Sequence, residues 1–128
     1  MRAQLWQIVE SENLAETQDN LASPSWGVFV AQLSDGLPLG FVEAHLRDCA
    51  ESATSSPVGY LEGWYVVPGY RRKGVGAALV EAAERWARSR GCIEMASDAT
   101  LENFGSIQSH GRLGSRDVER IASFLKRL

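Results

Sequence analysis

The sequence predicts a single α/β domain over residues 1–128, on three observations. Strand-like and helix-like segments alternate along the chain. A cationic, glycine-containing turn joins a hydrophobic strand to a long helical pattern. The 128 residues, 45% apolar and 23% charged, suit one hydrophobic core.

The elements follow in chain order. Leu5, Trp6, Ile8, Val9 and Leu14 have spacings that suit a short helix. Residues 28–33 (Val-Phe-Val-Ala-Gln-Leu) read as a strand, Ser34-Asp35-Gly36 as a turn, and residues 38–46 as the hairpin partner. Residues 48–57, with Ser52, Thr54, Ser55, Ser56 and Pro57, make a polar loop. The aromatic and β-branched content of residues 59–67 marks a buried central strand closed by Pro68-Gly69, and Gly63 inside it marks a bulge or a close backbone approach. Val75, Leu79, Ala82, Ala83, Trp86 and Ala87 then recur at helical spacing, with Gly91 where a C-terminal glycine belongs. Residues 92–97 read as a strand ending at Asp98. A helix follows over residues 104–113, stopped at Gly114. In the tail, Val118, Ile121, Ala122 and Leu125 fit a helical face, while residues 121–125 suit a closing strand equally well.

Charge and composition narrow the function. The formal charge of −3 hides an uneven division: residues 1–62 carry nine acidic against two basic residues, and residues 63–128 seven against eleven. The second half favours a polyanion and the first a polycation. The basic groups cluster around one turn and one helix without interleaved aromatics, which disfavours nucleic acid. No apolar run approaches the roughly 20 residues that span a bilayer, and the start lacks a signal-peptide pattern, so a cytoplasmic location without membrane partners is expected. Cys49 and Cys92 show neither metal-ligand spacing nor a disulfide framework and read as free thiols; no metal is expected.

Arg71-Arg72-Lys73-Gly74-Val75-Gly76 is built to hold phosphate, because glycine admits close backbone approach and the first N–H groups of a helix have no partner within it. A P-loop would need Gly-Lys-Ser/Thr, whereas Ala77-Ala78 follow here. A dinucleotide fold would need three glycines in the first βα unit. Arg-x-x-Gly-x-Gly instead resembles the acetyl-CoA pyrophosphate loop of the GNAT superfamily of N-acetyltransferases. Neighbouring residues extend the likeness to the aminoglycoside 6'-N-acetyltransferases of that superfamily. They are Ser56-Pro57-Val58-x-x-Leu61-Glu62-Gly63, Arg71-x-x-Gly74-Val75, Arg85-Trp86, Gly91-Cys92, Glu94-Met95-Ala96-Ser97-Asp98 and Glu102-Asn103. His110-x-x-Leu113-Gly114 and Glu119-Arg120 continue it.

The resemblance implies a mixed, mostly antiparallel central sheet flanked by helices, and acetyl transfer from acetyl-CoA, the co-substrate, to a primary amine of a cationic aminosugar. It places the acetyl group against Trp64, Tyr65 and Val66, the pyrophosphate against the N–H groups from Arg72 through Lys73, Gly74, Val75 and Gly76 to Ala77, and the pantetheine arm near Asn103. It also implies a homodimer. Glu62, a carboxylate within a hydrophobic strand, should face a cleft or a cation; it is the first candidate for binding the substrate ammonium and for general-base chemistry, with a solvent-facing position as the alternative. Asp98, at a strand's carboxyl end, is the second candidate or a turn cap. Glu119 matches a family position that contacts aminoglycoside, or is an exposed carboxylate beside Arg120. Trp6 is a substrate wall or a core residue. His110 stands where many relatives place an acid tyrosine, and is either that acid or a helix-capping histidine.

Two departures stand out. Met1 to Trp6 resemble the middle of the family's first helix, so the first strand is expected to be missing. Ser115 replaces a phenylalanine. Rival functions are acetylation of a polyamine or amino acid, and a degenerate CoA-binding domain without turnover.

Overall fold

The computed structural model describes residues 6–10, 25–99, 103–118 and 124–128. The chain divides into two compact units, Met1–Asp98 and Ala99–Leu128.

The first unit is built on a five-stranded sheet in chain order: β1 (Trp6–Glu10), β2 (Trp26–Leu33), β3 (Pro38–Arg47), β4 (Val58–Val66) and β5 (Met95–Ser97). β1 to β4 pair antiparallel, and β5 joins β4 in parallel. The β2–β3 turn is the expected one: Asp35 Oδ1 accepts the Leu37 N–H at 3.0 Å, and Gly36 takes φ +95°. At the N-terminus the structure corrects the expectation. Trp6–Glu10 form a strand, antiparallel to Leu33–Phe29, where a short helix and a missing first strand were expected. A run of five such residues satisfies both periods, and the edge of β2 decides, because its N–H and C=O groups take partners from β1. Leu5 and Leu14 lie outside the described residues.

α1 (Val75–Ser89) crosses one face of the sheet and buries Val75, Leu79, Val80, Ala82, Ala83, Trp86 and Ala87. Against this stripe lie Phe29 and Ala31 of β2 and Val42 and Ala44 of β3, all buried. The helix ends in a Schellman motif: Gly91, at φ +92°, donates to the Arg88 carbonyl and Cys92 to the Ala87 carbonyl, both at 3.0 Å. Cys92 is buried there, which raises its thiol pKa, while Cys49 is exposed; both are free thiols. The strand expected from Cys92 starts only at Met95, and Ile93 is 82% exposed.

In the second unit, α2 (Phe104–Arg112) is capped at its start by Asn103, whose side-chain oxygen accepts the Ser106 N–H at 3.1 Å. Its end repeats the Schellman pattern, with Gly114 donating to Gly111 and Ser115 to His110. Serine at that last position cannot make the apolar contact that often accompanies the motif. Residues 115–118 and 124–128 are neither helix nor strand.

Candidate active site

β4 carries two constructions, separated by a bulge. Glu43 pairs with Gly63 and Ala44 with Leu61, so Glu62 is the extra residue, beside the glycine that the sequence singles out. On the N-terminal side, β5 accompanies β4 from Gly59 to Leu61. The β4–β5 ladder stops there, at the Leu61–Ser97 pair, and Trp64, Tyr65 and Val66 run on beyond it.

Past Val66 the chain makes one 3-10 turn (Pro68–Tyr70) and enters the cationic turn. Arg72 (φ +62°) and Gly74 (φ +89°) both lie in the left-handed region, Gly74 as the residue before α1. Only glycine adopts that conformation without a steric cost at its Cβ. No side chain caps the helix, and the first α1 bond is made by Ala78 to the Gly74 carbonyl. Val75, Gly76 and Ala77 therefore present N–H groups that have no acceptor inside the helix, at its electropositive end. Gly76 seats this end on β4: a Cβ there would stand 3.2 Å from the Trp64 ring. Arg71 spans the approach, donating from Nε to the Val66 carbonyl at 2.8 Å, its guanidinium 5.4 Å from the Tyr65 ring centre. Tyr65 is 45% exposed. Lys73 points elsewhere, with Nζ 5.7 Å from the Tyr70 ring centre.

On the other side of the bulge, side chains from β2, β3 and β4 and from the residue after β5 converge. Arg47 forks onto Glu62, Nε to Oε2 and Nη2 to Oε1, each at 3.0 Å. Its guanidinium carbon lies 3.5 Å from the Tyr60 ring centre. His45 Nδ1 is 3.6 Å from Glu62 Oε2, and its ring stacks on Trp26 at 4.4 Å. Tyr60 Oη donates to Asp98 Oδ2 at 2.5 Å. Burial above all, then the bond to Asp98, raises the Tyr60 pKa far above the ordinary tyrosine value, so Tyr60 is a fixed donor at any physiological pH.

This architecture matches a known family over most of the chain: the Acetyltransferase (GNAT) family corresponds to residues 3–114. The chain belongs to the GNAT acetyltransferases. Among relatives of this acetyltransferase, the aminoglycoside N(6')-acetyltransferase type 1 of Klebsiella aerogenes is 45% identical, over 100% of this chain and 87% of its own length. Among solved structures, AAC(6')-Iy, in complex with the bisubstrate analog CoA-S-monomethyl-acetylneamine, is 31% identical with a TM-score of 0.86. The superposition covers 96% of this chain and 99% of that one. AAC(6')-Ih from Acinetobacter baumannii, at 29% identity, also has a TM-score of 0.86 over 96% and 99% of the two chains. The expected GNAT-like α/β fold is thus the fold of this acetyltransferase.

Of the residues predicted from sequence, the acetyltransferase brings Glu62 and Asp98 to one cluster, linked through Arg47 and Tyr60. Glu62 faces a cation, one of the two surroundings expected for it. Asn103 serves as a helix cap. His110 Nδ1 lies 2.7 Å from the Ser106 carbonyl, to which an N–H there donates. Glu119 and the side chain of Trp6 lie outside the described residues. Trp26, His45, Arg47 and Tyr60 escape the sequence reading. His45 and Arg47, two apart at the end of β3, share a sheet face; the strand predicted from sequence stops at Leu46, one residue short of Arg47. Among the described residues no group of His, Cys, Asp and Glu is placed to hold a metal ion.

Proposed function

We propose that this acetyltransferase moves the acetyl group of acetyl-CoA to the 6'-amine of an aminoglycoside, a resistance reaction. The observation that carries the reading is that one strand supports both half-sites: β4 holds Glu62 at its bulge and then runs through Trp64, Tyr65 and Val66 into the cationic turn. Relatives bearing the aminoglycoside 6'-acetyltransferase name support the choice of acceptor.

Acetyl-CoA supplies an activated thioester. The N–H groups of Val75, Gly76 and Ala77, with Arg72, Lys73 and Gly74, hold its pyrophosphate. The main chain of Trp64, Tyr65 and Val66 orients the acetyl group and meets the negative charge that develops on its oxygen. Glu62 binds the substrate ammonium and takes its proton, directly or through water, and Asp98 holds a second cation of the sugar. As the new N–C bond forms, the C–S bond breaks, and the departing thiolate takes a proton. His110 is our candidate for that proton, and Asn103, Glu119 and Trp6 keep the binding roles implied by the family resemblance. We read the two units as one acetyltransferase domain over residues 1–128, since the family match runs through both.

The proposal extends to a cytoplasmic homodimer. No helix among the described residues is long and apolar enough to cross a membrane.

A thiol-release assay with acetyl-CoA and kanamycin, tobramycin, spermidine and a peptide amine tests the function. Turnover of the two aminoglycosides is expected. Turnover of spermidine or the peptide alone sinks the aminoglycoside assignment, and CoA binding without any turnover sinks catalysis.

A further inference from the structure

We propose that Arg47 is a built-in cation that occupies the ammonium cradle of the acceptor site, and that an amine acceptor reaches Glu62 by displacing it. The inference rests on the reading of Glu62 as the ammonium-binding carboxylate.

Glu62 carries both its oxygens in one bidentate fork from Arg47, with Nε–Oε2 and Nη2–Oε1 each at 3.0 Å. The same guanidinium sits 3.5 Å from the centre of the Tyr60 ring. A carboxylate beneath a cation and an aromatic face beside it are the two features that recognise an ammonium ion. With Arg47 in place, a substrate amine finds neither of them open.

The walls of this cradle do not depend on the plug. Tyr60 is buried and tethered to Asp98 through its hydroxyl at 2.5 Å. The main chain of Glu62 is set by the β4 bulge, with Gly63 in register against Glu43, and His45 Nδ1 stands 3.6 Å from its carboxylate. Arg47, in contrast, is the last residue of β3, its side chain is 38% exposed, and the polar loop of residues 48–57 follows it. With Arg47 at 38% and Glu62 at 22% side-chain exposure, the pair is open to water and so to a competing polycation. Guanidinium keeps its charge throughout the physiological range, so competition by another cation, and not a pH change, removes it.

Charge placement along the chain points the same way. Arg47 is the only Lys or Arg between Ala3 and Tyr70, a stretch that contains nine Asp and Glu. The single Lys or Arg of this acidic stretch of sequence lies on the carboxylate that the acceptor needs. Such a plug denies the cradle to a weakly bound monoamine and yields it to a substrate that brings several charges at once.

The test uses the full-length protein. The Arg47 Nε–H signal, assigned by its loss in Arg47→Lys, is followed by nitrogen-15 NMR while kanamycin, and separately spermidine, is added. Displacement is expected: the signal moves to the position of a free guanidinium as the acceptor saturates. In steady-state kinetics Arg47→Met is expected to raise kcat/KM for the acceptor about three- to tenfold through a lower acceptor KM, with the acetyl-CoA KM unmoved. An Arg47 signal unmoved by every saturating amine, or a higher acceptor KM in Arg47→Met, overturns the plug. The two readings separate cleanly. Displacement by spermidine in a protein that acetylates no aminosugar keeps the plug and loses the aminoglycoside assignment, and kanamycin turnover with the signal unmoved does the reverse.

Discussion

The two ends of β4 are made of different material. Beyond the bulge the site is main chain: two left-handed residues, Arg72 and Gly74, turn the backbone so that the N–H groups of Val75, Gly76 and Ala77 emerge together. Before the bulge it is side chain: Arg47 from β3, Tyr60 and Glu62 from β4, and Asp98 just after β5 meet through hydrogen bonds and one cation–π contact. The first construction tolerates many side chains but depends on particular backbone angles. The second tolerates backbone adjustment and fails with the loss of one charged group. Breaking them separately is the sharpest test of the division.

The largest effect is expected at the side-chain end. Glu62→Gln keeps the volume and removes the charge that binds ammonium and accepts its proton, and general-base groups contribute roughly 100- to 10,000-fold. We expect kcat/KM for the acceptor to fall by at least about 100-fold while the acetyl-CoA KM stays within about twofold. Full activity in this variant would remove Glu62 from the chemistry. An equal rise in the acetyl-CoA KM would show that the two ends are not separable.

A smaller, opposite pattern is expected from Gly74→Val. Nothing lies within 4 Å of the position a Cβ would take there, so the substitution acts through conformation alone. A β-branched residue at φ +89° is strained by about 1–3 kcal/mol. The turn relaxes and its N–H groups lose their common aim, which corresponds to roughly a tenfold rise in the acetyl-CoA KM, with the acceptor KM held. Gly74→Asn should recover most of the loss, because asparagine enters the left-handed region readily. Rescue by asparagine distinguishes a backbone effect from a loss of glycine's small size.

The same contrast explains what the sequence made legible. A backbone-built site leaves local marks: the glycine spacing of 74 and 76, the helical repeat from Val75 to Ala87 and Gly91 at its end are contiguous, and all appear in the structure. Glu62 and Asp98 were visible as carboxylates in unusual positions, but their partners were not. Arg47 lies 15 residues from Glu62 and Tyr60 lies 38 from Asp98, and both pairings depend on strand register and on the bulge, which no local pattern specifies. The N-terminal segment failed for a related reason. Trp6–Glu10 satisfies helical and strand periods alike, and the choice was made by the edge of β2, more than 15 residues further on.

Away from β4, Glu94 gives the smallest expected effect and the finest comparison. Its carboxylate accepts the Ser55 hydroxyl and the N–H groups of Thr54 and Ser55, the latter two at 2.9 Å, and so fastens the loop that follows Arg47. The Ser55 hydroxyl first, and then the Thr54 N–H, hold its pKa below the ordinary glutamate value of 4.5. A group whose native value is depressed contributes its full stabilisation above the unfolded value and loses it as pH falls through the native one. The loop clamp is therefore complete above about pH 4.5 and releases below it. Amide hydrogen exchange reads this directly, as protection relative to the intrinsic rate at each pH. Protection at Thr54 and Ser55 is expected to collapse on acidification, while Gly91 and Cys92, whose bonds run to the carbonyls of Arg88 and Ala87, keep theirs until the protein unfolds. Glu94→Gln should produce the same collapse at neutral pH, since the amide oxygen retains the acceptor position without the charge that strengthens it. Parallel loss at all four amides would instead mark global acid unfolding, and would remove the side-chain clamp as the cause.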